Sequence, residues 1–207
     1  MKKQNGILIV VSGFSGSGKG TLMRKLLENY DNYALSVSAT TRSPRAGEFH
    51  GREYFFHSFE EFEQMIAADE LIEYARYVGN YYGTPKSYVM EQLAAGNDVI
   101  LEIEIQGALK IKKKFPDALL LFVTTPSVDE LKRRLINRGT ETMEVVLNRL
   151  HTAKNEAEGM ALYDYLVVND TVDECAMNMH HIICAEHYKS SRNLEFIAQV
   201  QKELMEI

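Results

Sequence analysis

The stretch Ile7-Leu-Ile-Val-Val11-Ser12-Gly13-Phe14-Ser15-Gly16-Ser17-Gly18-Lys19-Gly20-Thr21 decides the fold. Ile7 to Val11 is an unbroken apolar run rich in branched side chains, which reads as a strand buried in a parallel sheet. A Gly/Ser-rich turn follows at once. Beyond it Leu22, Leu26, Leu27 and Tyr30 recur on roughly one face, so a helix opens where the turn ends. A strand, a glycine-rich turn ending in lysine, and a helix form the setting in which such a turn binds phosphate. The glycines let the backbone wrap closely around phosphate oxygens, and the N–H groups and the helix N-terminus point at the anion. Lys19 adds a point charge for the terminal phosphates.

Outward from this stretch the chain continues to alternate. Ala118 to Val123 and Leu166 to Val168 read as further strands, and Val99 to Ile105 as an alternating one that carries Glu102 and Glu104. Helices are expected over Val128 to Ile136, Met143 to Glu158, Val172 to Tyr188 and Leu194 to Met205. Strand–helix alternation at both ends implies an α/β fold with a parallel sheet. Residues 38–95 break the rhythm and read as an inserted lobe. In it Val37 to Tyr54 is polar and turn-rich. Phe59, Phe62, Met65 and Ile66 form the core face of a short helix with Ser58 and Glu61 as a capping box. Leu71 to Tyr82 suggests paired strands turning at Gly79-Asn80.

The bulk numbers bound the function. A chain of 207 residues suits one domain, and 45% hydrophobic with 25% charged residues is ordinary globular composition. A formal net charge of −6 disfavours nucleic acid as the main partner. It leaves room for a small anionic ligand in an arginine-lined cleft. Cys175 and Cys184 lack metal or redox spacing and read as reduced thiols. The histidines form no ligand-spaced set for zinc. The first apolar run is too short for a signal peptide or a membrane span, so no membrane is expected and a cytoplasmic location is. The oligomeric state stays open.

A second informative stretch is Ser36-Val-Ser-Ala-Thr-Thr-Arg42-Ser-Pro-Arg45-Ala-Gly-Glu48, followed by Gly51-Arg-Glu-Tyr54-Phe-Phe. Two planar guanidinium forks three residues apart, stiffened by Pro44, suit a phosphate, and Tyr54 offers a hydroxyl. The run resembles the GMP-binding segment of guanylate kinases. The resemblance continues at Gly79-Asn-Tyr-Tyr-Gly-Thr84, Glu102-Ile-Glu-Ile-Gln-Gly107, Arg138-Gly-Thr-Glu-Thr and Val167-Val-Asn-Asp170, covering nearly the whole chain in order. It implies a parallel-sheet phosphate-loop nucleotide kinase core (1–37, 96–133 and 160–207), a mixed α/β GMP-binding lobe (38–95) and a short helical lid (134–159).

Carried over by position, the resemblance implies ATP binding by Gly13, Phe14, Ser15, Gly16, Ser17, Gly18, Lys19, Gly20, Thr21 and Asn169. It implies that Arg42, Arg45, Tyr54 and Tyr82 hold the GMP phosphate, that Ser38, Glu73 and Thr84 contact guanine, and that Glu48 and Glu104 lie on the GMP side. Lys19, Arg134, Arg138 and Arg149 are the implied catalytic cations. Mg²⁺ is the implied cofactor, travelling with ATP, with Glu102 and Thr21 on its side. Two departures stand out. Gly20 occupies the place where Ser or Thr usually follows the lysine, as it does in adenylate kinases, leaving Thr21 or ordered water to meet the metal. Glu102 and Glu104 stand where Asp is frequent, which keeps hard oxygen donors but lengthens their reach.

With that implied contact, Glu73 would make the site selective for guanine. A carboxylate accepts both N1–H and N2–H of guanine, hydroxyls of Ser38 and Thr84 can donate to O6, and adenine would set a lone pair against the carboxylate. The expected reaction is transfer of the ATP γ-phosphoryl group to GMP, plausibly dGMP as well, in purine nucleotide metabolism. The rival expectations are a non-catalytic phosphopeptide-binding module of guanylate-kinase-like shape, or a kinase for another nucleoside monophosphate.

Overall fold

The protein was described from a computed structural model, which covers residues 5–77, 79–137 and 142–207. The chain begins with β1 (Leu8–Gly13), α1 (Lys19–Asn29), β2 (Tyr33–Leu35), β3 (Ala39–Thr40), β4 (Phe55–Phe56) and α2 (Phe59–Ala67). It continues through β5 (Leu71–Tyr77), β6 (Asn80–Pro85), α3 (Lys86–Ala94), β7 (Asp98–Glu102), α4 (Ile105–Lys114) and β8 (Leu119–Thr124). It closes with α5 (Val128–Asn137), α6 (Met143–Ala157), β9 (Tyr165–Val168), α7 (Val172–His187) and α8 (Leu194–Met205).

Among the described residues two sheets form. The larger has the order β2-β7-β1-β8-β9, and its ladders are parallel throughout. The apolar runs of β1 and β8 are buried on both faces, as a sheet covered by helices on both sides demands. Val10, Leu101, Leu120 and Phe122 face one side with Ala108 and Ile111 of α4. Ile9, Ile100, Leu121 and Val123 face the other with Leu22 and Leu26 of α1 and Met179 of α7. The register pairs Val11 with Glu102 and Gly13 with Val123, so the carboxyl ends of β1, β7 and β8 share one rim. In open α/β sheets, that rim is where ligands bind.

The smaller sheet has the order β4-β3-β6-β5 and a core of its own around Phe62, Ala39 and Leu71. Its α2 starts with the expected capping box, Ser58 and Glu61 each satisfying the other's backbone N–H. Phe62 then stacks on Tyr81 of β6 with ring centroids 5.1 Å apart, fixing the helix under the strands.

The structure corrects three readings. The alternation over Val99 to Ile105 does not make one strand. β7 ends at Glu102, and α4 opens at Ile105 behind Glu104. There Ile103 N still donates to Val11 O, but Glu104 O already takes the first helical hydrogen bond from Ala108 N. Two helices, α3 and α4, and the short strand β2 go beyond the pattern read from sequence. The turn-rich segment Val37 to Tyr54 also contributes β3, the strand through which the lobe joins its sheet.

Candidate functional site

The turn after β1 is held in a shape that its glycines permit. Gly13 adopts φ 152°, and a Cβ there would lie 2.1 Å from the carbonyl oxygen of Val123, which places β8 tight against the strand end. Gly18, at φ 90°, caps α1, where a Cβ would meet Asn169 Nδ2 at 2.5 Å. Gly20 is different. Nothing lies within 4 Å of a Cβ there, so the missing hydroxyl of this position leaves open space rather than a filled one.

Lys19 folds back over the loop, Nζ donating to Gly13 O at 2.5 Å and to Phe14 O at 3.2 Å. Three other elements reach the same loop. Arg134 of α5 donates to Ser17 O at 3.4 Å and to Asn169 O at 2.9 Å. Asn169 Nδ2 donates to Ser17 O at 2.8 Å. Arg149 of α6 donates to Ser15 Oγ at 2.6 Å. Glu130, one turn before Arg134, takes Nε at 2.6 Å and also bonds Arg133; these two guanidiniums draw its carboxyl down to about 2. Arg134 is therefore clamped on both sides. The i, i+4 spacing of Glu130 and Arg134 was the sequence signal for that clamp.

A cleft of ≈ 360 Å³ opens beside the loop, lined by Ser15, Gly16, Gly18, Lys19, Gly20, Thr21, Arg24 and Glu102. Arg24 was not singled out from sequence; its position five residues after the loop lysine, on α1, is what brings it there. Glu102 keeps a solvent-accessible face, yet the protein crowds its other sides. That desolvation pushes its carboxyl above the usual range, and Lys19 pulls it partly back. A crowded carboxylate and the Thr21 hydroxyl in one cleft are hard oxygen donors with an electrostatic need for a cation, and they fit Mg²⁺. No cluster of three or more His, Cys, Asp or Glu able to hold a metal occurs among the described residues, so an ion here would draw most of its ligands from phosphate and water.

The inserted lobe gathers the other predicted residues into two groups. In the first, Arg42 donates to Glu48 at 3.0 Å, and the Glu48 carboxylate also accepts from Arg45 N at 2.8 Å. The Arg42 guanidinium lies 5.3 Å from the Tyr54 ring centroid, and Tyr54 sits edge-on to Tyr82 at 6.1 Å. In the second, Thr84 Oγ1 donates to Glu73 Oε1 at 2.9 Å. Burial pushes the Glu73 carboxyl above its ordinary range, and the Thr84 hydrogen bond offsets part of that. Tyr82 and Thr84 alternate on β6 and so share a face about 7 Å apart. Glu73 lies within the register shift between Leu71 and Tyr74 on β5. A Cβ on Gly107 would lie 3.5 Å from Glu73 Oε2, so the first turn of α4 closes the pocket floor. Ser38 flanks the lobe strands, its carbonyl accepting from Phe55 N at 2.8 Å. Arg138 lies outside the described residues.

The phosphate loop and the lobe residues thus stand on different sheets, with α4 packed against both. The guanylate kinase family model matches residues 5–186. The guanylate kinase of Oceanobacillus iheyensis is 50% identical over 206 residues, which cover 100% of this chain and 98% of that one. That of Bacillus subtilis is 48% identical over 206 residues, 99% of each chain. The crystal structure of guanylate kinase from Anaplasma phagocytophilum matches with a TM-score of 0.75 at 34% identity, over 95% of each chain. From the loop-bearing sheet to the inserted lobe, and across its full length, the chain belongs to the guanylate kinase family.

Proposed function

We propose that the chain transfers the γ-phosphoryl group of ATP to GMP, giving ADP and GDP, and that it accepts dGMP as well. The carrying observation is the pairing, across one fold, of a glycine-built phosphate loop with a half-buried carboxylate. Lys19 sits in the first, and Glu73 with its Thr84 partner forms the second. In this reading residues 13–21 and Asn169 hold ATP. Arg42, Arg45, Tyr54 and Tyr82 hold the GMP phosphate, and Ser38, Glu73 and Thr84 read the base. Glu48 orients Arg42 and the Arg45 backbone, and Glu104 faces the acceptor side.

The transfer needs no covalent protein intermediate. The attacking GMP phosphate oxygen and the leaving ADP oxygen must lie in line, and charge spreads over the equatorial oxygens between them. Lys19, Arg134, Arg138 and Arg149 supply fixed positive charge to that arrangement. Glu102 and Thr21 would hold Mg²⁺ arriving with ATP, and the ion would supply neutralisation of phosphate charge. Lys19 already turns inward onto the loop carbonyls, so phosphate oxygens entering the loop exchange those contacts for stronger charge-assisted ones. Residues 38–95 act as the acceptor lobe and 134–159 as the lid. No helix among the described residues is long and apolar enough to cross a membrane, and the reading places the reaction in the cytoplasm.

ADP formation from Mg·ATP, measured with GMP, dGMP, AMP, CMP, UMP and TMP in turn, tests this. Turnover confined to the guanine nucleotides and abolished by Lys19→Ala is expected. Turnover with AMP or a pyrimidine would overturn the base reading. Folded protein that binds GMP but turns over no acceptor would favour the phosphopeptide-binding module instead.

A further inference from the structure

No residue of α8 is buried, and Ile197 is its one half-buried side chain. Phe196 is 62% exposed and Leu204 63%. A helix of this length is marginal by its own hydrogen bonds and is held in proteins by packing an apolar face. α8 has such a face. At 3.6 residues per turn, Phe196, Ile197, Val200 and Leu204 fall within an arc of roughly 100°, and Ile207 continues it past the last turn. Ile197, Val200, Leu204 and Ile207 keep the alternating three-and-four spacing by which one helix seats against another. Glu195, Lys202 and Glu206 lie on the opposite side of the helix, and beside them Gln199 Nε2 donates to Glu203 Oε1 at 2.8 Å.

The root of this helix is fixed. Glu186, 3% exposed near the end of α7, pairs with Arg192 at 3.1 Å and with Lys189 at 2.8 Å. Arg192 also donates to Asp117 O, just ahead of β8. Asn193 Nδ2 donates to His187 O at 2.9 Å and to Lys189 O at 2.8 Å. A buried carboxylate and two cations thus clamp the base of α8 to the amino end of the core sheet, the end opposite the phosphate loop. The apolar arc is held in solvent from a rigid base.

A second copy of the same arc fits it best. Leu194, Phe196, Val200, Leu204, Met205 and Ile207 expose on the order of 700 Å² between them, more than a monomer ordinarily shows in one patch and close to the ~800 Å² that each partner covers in a stable interface. Laid antiparallel about a two-fold axis at Val200, two copies set Phe196 against Leu204 twice, and the smaller Val200 side chains meet between them. A lipid surface fits less well. Helices that lie on membranes carry Lys and Arg on their polar face, whereas α8 carries Glu195, Glu203 and Glu206 against the single Lys202.

We propose that α8 joins two copies of this chain into a two-fold dimer through the arc that runs from Phe196 to Ile207, leaving both phosphate-loop clefts open at the far rims. The dimer neither needs nor alters the phosphotransfer proposed above.

Sedimentation equilibrium of the full chain at micromolar concentrations tests it. Wild type is expected at twice the mass of one chain, and Leu204→Glu, which sets a charge in the seam, at the mass of one. Val200→Glu and Val200→Lys should each sediment as single chains, because each brings like charges together at the axis, and an equal mixture of the two should recover the doubled mass. These side chains bury nothing within one chain, so circular dichroism of each variant should match wild type. kcat and KM of Leu204→Glu should stay within about twofold of wild type, since the cleft lies at the other end of the sheet. Leu204→Glu also gives the single chain on which motion within one copy can be measured. Wild type that sediments as one chain throughout, Leu204→Glu that stays doubled, or a Val200→Glu and Val200→Lys mixture that stays single would each overturn the proposal. Wild type that is single in solution yet binds vesicles of anionic lipid, and is released from them by Leu204→Glu, would overturn it in favour of a membrane.

Discussion

At the scale of single residues, Glu73 is where recognition and stability pull against each other. Its carboxyl is crowded by the lobe and by α4, which raises its pKa, and the hydrogen bond from the Thr84 hydroxyl offsets part of that. In the proposed reading Glu73 then supplies the acceptor for the two donors of guanine. Gln at this position keeps the shape but offers one acceptor oxygen and sets an NH₂ against the guanine donors. Glu73→Gln is expected to raise KM for GMP about tenfold or more while leaving KM for ATP unchanged. The same substitution should alter stability with a definite sign. A carboxyl whose folded pKa is raised gives stability that is whole below its unfolded value and is lost as pH rises through the folded value. At pH 7 the wild type bears the cost of a desolvated anion and the Gln variant does not. Without nucleotide, Glu73→Gln should melt higher than wild type at pH 7, with the gap closing as pH falls toward the ordinary 4.5. Melting curves at both pH values check this; an unchanged gap would mean that Glu73 ionises without penalty.

At the scale of elements, α2 links a short sequence signal to the acceptor pocket. Ser58 Oγ accepts from Glu61 N at 3.1 Å, and Glu61 Oε2 accepts from Ser58 N at 2.7 Å. The helix so started presents Phe62 to Tyr81, the neighbour of Tyr82 on β6. Ser58→Ala should cost about 1 kcal/mol, which for a chain of this size lowers Tm by about 2–4 °C. Thermal denaturation measures the loss, and KM for ATP serves as the control that should not move. This helix was readable because both halves of its cap are local in sequence. The phosphate loop was readable because the positive backbone angles of Gly13, Gly16 and Gly18 call for glycine at fixed places in one short run. The starts of α3 and α4 were not. Pro85 and Glu104 cap them without a side-chain hydrogen bond, so no polar signature marks either N-terminus. Ile105, Ala108 and Ile111 follow an alternating strand directly, and the change from period two to helical spacing falls within two residues of its end. β2 is three residues long and exists because β7 offers it a parallel edge. The groups that converge on the loop, Arg134, Arg149 and Asn169, lie far from it in sequence, and only the fold brings them to one rim.

At the scale of the whole molecule, the net charge of −6 opposes two anionic substrates, so attraction has to be local. The cations are placed accordingly: Lys19 and Arg24 line the cleft, Arg134 and Arg149 clasp its loop, and Arg42 sits in the lobe. Among the described residues the lobe sheet and the core sheet are separate, with no strand shared between them. Each holds one half of the reaction as proposed, and neither half alone encloses a phosphoryl group. Water in an open cleft would compete with GMP for that group, so productive transfer requires the halves to approach and exclude it. The energy for closure must come from contacts made only when both nucleotides are present, because a ligand shifts an equilibrium only by its differential affinity for the two states. A compact chain of 207 residues has a radius of gyration of about 17 Å, which is well measured by small-angle scattering. The radius should fall when GMP and a non-hydrolysable ATP analogue are added together with Mg²⁺, and fall less with either nucleotide alone. If the two single-ligand changes merely add, closure is not cooperative and each substrate folds its own side inward. If the radius is constant in all three states, the two halves are already at transfer distance, and water must be excluded by the nucleotides themselves rather than by motion of the lobe or the lid.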